Sequence, residues 1–196
     1  MKGIMLAVAV LALSLSLTAV HAQEQCIDAN QHYLQMNYQT FDQSVDGGWR
    51  AVADKEGCQL AAADLIHQYT NAKSDLSEGD TKTLNWHEGQ LRATAGQSQR
   101  AIALFEQTYK PTERDIAGWN YYVDATIAFI QQDKAKLLQS RETLADVKMP
   151  EGLNMTNADG KPVEIEWPMN LDIVDSFIAC FGASYKEAYS GKCGGD

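Results

Sequence analysis

The sequence predicts a mainly α-helical domain of antiparallel helical hairpins, with one short β-hairpin before the C-terminal helix. Three observations carry this. Apolar residues recur at helical spacing through most of the chain. Brief polar turns containing Gly, Pro or Asp separate these segments. Only one stretch, Val163 to Trp167, alternates as a strand does, and it follows an Asp159-Gly160 turn pair.

The elements follow in chain order. Cys26 to about Gln43 places Ile27, Tyr33, Leu34, Tyr38 and Phe41 at helical spacing, and Ser44 to Gly48 stops it. Trp49 to Ala53 begins a short helix that breaks at Glu56-Gly57. A third segment, Cys58 to about Ala72, sets Ala61, Ala62, Leu65, Ile66 and Tyr69 on one side, and its small residues suit close packing. Helices are predicted over about Thr81 to Thr94 and Ser98 to Tyr109, with a turn at Ala95-Gly96. Thr112 followed by Asp115 has the spacing of a capping box. It opens a helix with Ile116, Trp119, Val123, Ile127 and Ile130 in one stripe. Gln132-Asp133 turns the chain into a helix from Lys134 to Ala145. Residues 149–170 read as extended, with Pro150, Pro162 and Pro168. Asn170 can cap a last helix, Leu171 to about Phe181, and a short turn of helix from Ser184 to Tyr189 leads into the tail, residues 171–196 in all.

Residues 1–22 have the three parts of a secretory signal peptide: Lys2, an apolar run from Ile4 to Leu17, and Val20 and Ala22 before the cleavage point. The run is shorter than the roughly 20 residues that span a bilayer. Cleavage between Ala22 and Gln23 leaves a single domain, 23–196, in the periplasm or outside the cell. Gln23-Glu24-Gln25 before Cys26 is not the small-residue context of a lipid-anchored cysteine. The whole chain has 16 basic and 26 acidic residues, net −10. Such a charge repels nucleic acid and anionic lipid, so neither a nucleic-acid partner nor a stable membrane anchor is expected.

Four cysteines in an exported chain read as two disulfides. Of the three pairings possible, Cys26–Cys58 with Cys180–Cys193 is favoured, because each closes a short segment at its own end of the chain. No metal is expected. There is no CxxC, and His32, His67 and His87 are scattered singly. His87-Glu88 lacks the second histidine of a zinc-protease helix, since Leu91 occupies that place. Asn157, Asp159, Gly160 and Glu166 match part of a calcium loop, but Met155 stands where the first ligand belongs. Glu164 with Glu166, and Asp172 with Asp175, are paired carboxylates of the kind an acidic surface yields by chance. No nucleophile motif is present and no cofactor is expected.

The turns at Glu56-Gly57, Ala95-Gly96 and Gln132-Asp133 recur at spacings of 39 and 37 residues, each between two helices. Residues 48–148 thereby resemble a degenerate tetratricopeptide-repeat array. With Gly96 as the turn glycine, Gly89 matches the small residue of the first helix, and Ala101 and Phe105 match the small and aromatic positions of the second. The chain also resembles a group of exported bacterial proteins sharing Gly48-Trp49-Arg50-Ala51, Trp86-His87-Glu88-Gly89-Gln90, Gly118-Trp119-Asn120 and Asn170-Leu171-Asp172. That second resemblance implies an address and no chemistry.

What the repeat resemblance implies is a non-enzymatic binding or scaffold protein with a protein or peptide partner. In such arrays the first helix of each hairpin lines the concave face. Thr83, Trp86, His87, Gln90 and Thr94 on one helix, with Asn120, Tyr121, Asp124 and Gln131 on the next, are therefore the expected binding residues. The other reading is a small envelope hydrolase or carbohydrate-binding protein, its pocket lying between the array and residues 149–170. Trp49, Trp86, Trp119 and Trp167 are either core packing or, for one or two of them, part of that face.

Overall fold

The computed structural model describes residues 26–156 and 160–193. The signal peptide expected over 1–22 lies outside the described residues, as do Asn157 and Asp159 of the expected calcium-like loop and hairpin turn. The chain is mainly helical. Its contacts divide it into two compact units, one ending at Leu91 and the other beginning at Arg92.

The first unit contains α1 (Tyr38–Phe41), α2 (Arg50–Ala53), α3 (Gln59–Ala72) and most of α4 (Glu78–Thr94). The helix expected over Cys26 to Gln43 is not continuous: only a 3-10 turn, Tyr33–Gln35, and the four residues of α1 are helical. Asn37 restarts the chain, its side chain accepting from the Thr40 backbone N–H. Further along, Ser77 and Asp80 each accept from the other's backbone N–H, and this reciprocal cap begins α4 three residues before the expected Thr81. The core holds Phe41, Val52, Ile66, Tyr69 and Leu84, all fully buried. Phe41 stacks on Tyr69 with ring centroids 3.7 Å apart, and the Tyr69 hydroxyl donates to Met36 O at 2.9 Å. The ring therefore buries its apolar body without stranding its polar tip. A disulfide joins Cys26 to Cys58, 32 residues apart, and ties the irregular N-terminal segment to the start of α3.

The second unit contains the end of α4, then α5 (Ser98–Glu106), α6 (Trp119–Ile130), α7 (Lys134–Ala145), α8 (Leu171–Ala179) and α9 (Tyr185–Tyr189). Here α6 and α7 are joined by Gln131 to Asp133 and pack side by side, and Asp133 caps α7 by accepting from Lys136 N–H. The expected start of the α6 helix at Thr112 is wrong by seven residues: Thr112–Arg114 is a separate 3-10 turn, and Ile116 is 61% exposed. Gly118 explains the break. Its φ is +73°, and a Cβ there would lie 2.9 Å from Leu144 and Val147, so the chain turns out of helical geometry immediately before Trp119. Asp115 takes the capping role: its Oδ1 accepts from Trp119 N–H and its Oδ2 from Asn120 N–H.

Phe129 stacks on Phe177 at 4.8 Å, among buried Phe105, Val123, Leu137, Leu144 and Val174. Each such buried side chain contributes about 1.5–3 kcal/mol relative to an exposed one. Within 149–170, two-residue strands β1 (Met155–Thr156) and β2 (Pro162–Val163) pair antiparallel, with Thr156 opposite Pro162. The strand expected to continue to Trp167 stops at Val163. Trp167 instead anchors the segment, its Nε1 donating to Val147 O at 2.7 Å. Asn170 precedes α8 with φ +64° and makes no side-chain cap. Ser184 and Glu187 form a capping box on α9, and Cys180 is disulfide-bonded to Cys193 in the tail. Two disulfides belong to an oxidising, extracytoplasmic setting. Among the described residues no helix is long and apolar enough to cross a membrane.

Candidate functional site

A set of polar contacts in the first unit is centred on buried Asp42, the residue that ends α1. A glycine turn brings its partners to it. Gly48 has φ +54°, and a Cβ at this position would lie 1.9 Å from Phe41 O. Only glycine lets the two backbones approach this closely, and Trp49 N–H then donates to Phe41 O at 3.3 Å. The indole is thereby directed at the neighbouring side chain, and Trp49 Nε1 donates to Asp42 Oδ1 at 2.8 Å. From α4, His87 Nδ1 meets the same oxygen at 2.8 Å, while Gln43 Nε2 donates to Oδ2 at 2.6 Å.

Asp42 is fully buried, and burial alone would push its carboxyl upward. The hydrogen bond and charge of His87, the Trp49 N–H and the nearby Arg50 together outweigh burial and hold it below 3.8. Arg50 lies over the Trp49 ring, its Cζ 4.2 Å from the centroid, and the Trp49 and His87 rings sit 5.1 Å apart. Beside this set, buried Glu88 pairs with exposed His67 at 3.5 Å. At Asp42 the carboxylate holds the Nδ1 side of the His87 imidazole. His87 keeps 18% of its side chain exposed. Chemically this is an oriented hydrogen-bonding group on the face of α4, seated on a buried, ion-balanced base.

The sequence segments Gly48-Trp49-Arg50-Ala51 and Trp86 to Gln90, far apart in the chain, thus meet at Asp42. Asp42 escaped the sequence reading. It sits in a Phe-Asp-Gln context without a motif, 45 residues from His87, and no local spacing marks it.

The nine expected binding residues are placed as follows. On α4, Thr83, His87, Gln90 and Thr94 are each half-buried and recur at helical spacing, while Trp86 is only 6% exposed and offers no open aromatic surface. Thr83 Oγ1 donates to Gly79 O within the helix. On α6, Tyr121 is 37% exposed and Gln131, at the helix end, is exposed. Asn120 holds a peptide main chain, but its own: Oδ1 accepts from Lys110 N–H and Nδ2 donates to Lys110 O. Asp124 accepts from the Tyr109 hydroxyl at 2.7 Å and pairs with Lys136. With Trp119 Nε1 donating to Thr108 O, these residues strap segment 108–110 to α6. No family model matches the sequence, and comparison with curated proteins and with solved structures finds no match.

Proposed function

We propose that the protein is an exported, non-enzymatic binding domain with a degenerate tetratricopeptide-like helical array over residues 48–148, whose partner is a protein or peptide. The observation that carries this is the stripe Thr83, His87, Gln90 and Thr94, hydrogen-bonding side chains that recur at helical spacing along α4 and are each half-exposed. A row of donors and acceptors with little net charge is matched to a peptide main chain. His87, oriented from below by Asp42, is its most rigid member.

Features of the repeat resemblance support the array. Gly89 and Ala101 are buried, Phe105 is fully buried, and the two helices after Gly118 are each 12 residues long. The first hairpin departs from it, since α2 has only four residues. On α6, Asn120 and Asp124 are engaged within the chain.

Photo-crosslinking in the producing cell tests the reading. A photoreactive residue at Thr83 or Gln90 should yield a discrete crosslinked product. The same probe at exposed Leu138 or Met149 should not. Equal labelling at all four positions would reject the binding face. Export is proposed with cleavage after Ala22, and intact mass of the secreted protein should correspond to residues 23–196 less four hydrogens for the two disulfides.

A further inference from the structure

The turn that carries Trp49 to Asp42 contains a reactive dipeptide, Asp46-Gly47. A second such pair, Asp159-Gly160, has its aspartate outside the described residues. Aspartate followed by glycine can cyclise. The next backbone nitrogen is one five-membered ring away from the side-chain carboxyl, and glycine puts no Cβ in its path. A fold blocks this step by hydrogen-bonding the nitrogen, by engaging the carboxylate or by holding the backbone in a helix.

None of these blocks operates at Asp46. The residue is exposed, lies between α1 and α2, and makes no hydrogen bond or ion pair among the described residues. The Gly47 N–H likewise has no acceptor among them. Other exposed aspartates of the first unit differ. Asp54 is followed by Lys55, whose N–H is spent on Val52 O at 3.2 Å. Asp28 is followed by Ala29, and its Oδ1 accepts from both the backbone and the side chain of Asn30. The chain just after Asp46 is tightly set. Gly47 O accepts from Arg50 N–H at 3.2 Å and from Ala51 N–H at 3.4 Å to begin α2, and Trp49 N–H donates to Phe41 O.

We propose that Asp46-Gly47 is a site of aspartate isomerisation, and that conversion there releases Trp49 from Asp42. Gly47 N attacks Asp46 Cγ and an N–C bond forms. The hydroxyl of the carboxyl, in its acid form, leaves with the amide hydrogen as water, and a succinimide closes. Water then adds to the carbonyl on Cα, and that carbon's bond to Gly47 N breaks. The main chain now runs through the former side chain, and the old backbone carbonyl becomes the free carboxylate. Mass and charge are unchanged, but one methylene has entered the backbone directly before Gly47. A Cβ at Gly48 would lie 1.9 Å from Phe41 O, so this turn has no room to absorb the added length.

The test incubates the whole protein in warm neutral buffer beside a synthetic peptide of residues 42–50. Electron-transfer fragmentation of digests then separates isoaspartate from aspartate at each position. Isoaspartate should build up at residue 46 within about tenfold of the peptide's rate, a barrier difference of about 1.4 kcal/mol. None should form at Asp54. Asp46→Glu, which would need a six-membered ring, should lose the signal at this position. The Trp49 indole N–H resonance should move in step with conversion. Slower conversion than that, equal conversion at Asp54, or persistence of the signal in Asp46→Glu would each overturn the site. Conversion that leaves the Trp49 resonance in place would overturn the link to Asp42. Fresh protein is unconverted, so crosslinking from Thr83 or Gln90 is independent of these outcomes.

Discussion

One carboxylate, that of Asp42, satisfies donors from three side chains in a buried setting, so its removal strands several at once. Asp42→Ala leaves Trp49 Nε1 and His87 Nδ1 facing no acceptor. At about 1–3 kcal/mol for each buried unpaired group, the variant should lose about 3 kcal/mol or more in urea unfolding. His87→Ala keeps the Trp49 and Gln43 bonds and should cost less, about 1–2 kcal/mol. Because the folded carboxyl titrates below its ordinary 3.8, its contribution is complete at neutral pH, where both states are ionised. It is lost as pH falls through 3.8 and then through the lower folded value, since the unfolded chain takes up the proton first. The stability difference between the natural protein and Asp42→Asn should therefore shrink as pH falls below 4. A constant difference down to pH 3 would contradict the proposed origin of the shift. Gly48→Ala is the companion test. A Cβ 1.9 Å from Phe41 O cannot be accommodated at φ +54°, and the near-ultraviolet signal of Trp49 should be lost with more than about 2 kcal/mol of stability.

Among the elements, α6 shows how a correct local signal can be attached to the wrong position. The Thr112–Asp115 spacing made Thr112 the cap, with Asp115 inside the helix; instead Asp115 caps, from outside, a helix that begins at Trp119. Asp115→Ala should cost about 1 kcal/mol, the ordinary value of a lost N-terminal cap, and hydrogen exchange should quicken at Trp119 and Asn120 first. The packing of Leu144 and Val147 against Gly118 is what a local reading could not see. The same applies to residues 26–43, where the apolar spacing is helical but the chain is broken at Met36 and Asn37 so that Tyr69 can donate to Met36 O. The helices α3 and α7 were legible to within a residue, because the turns at Glu56-Gly57 and Gln132-Asp133 mark where each begins.

Across the whole molecule, the two disulfides act on separate ends of the chain. Cys26–Cys58 lies within the first unit and Cys180–Cys193 within the second. Replacing the first pair by serine should cost about 3–4 kcal/mol by freeing the unfolded chain. Hydrogen exchange should then rise over residues 33–69 while 122–144 keep their protection. Uniform loss across both stretches would contradict the division at Leu91. The sequence by itself determined the helical class, the acidic charge and most helix positions. Each of these depends on local periodicity, composition or spacing. It also favoured the disulfide pairing that the structure contains, because short separations close at least entropic cost. Only the tertiary structure decided that Asp42 receives Trp49 and His87, that Trp86 is buried, and that Asn120 and Asp124 are spent on residues 108–110 and on Lys136. Those outcomes depend on which distant side chain a given polar atom meets once the core has closed. Hydrogen bonds select partners within about 3 Å in space, and a one-dimensional pattern does not encode that proximity.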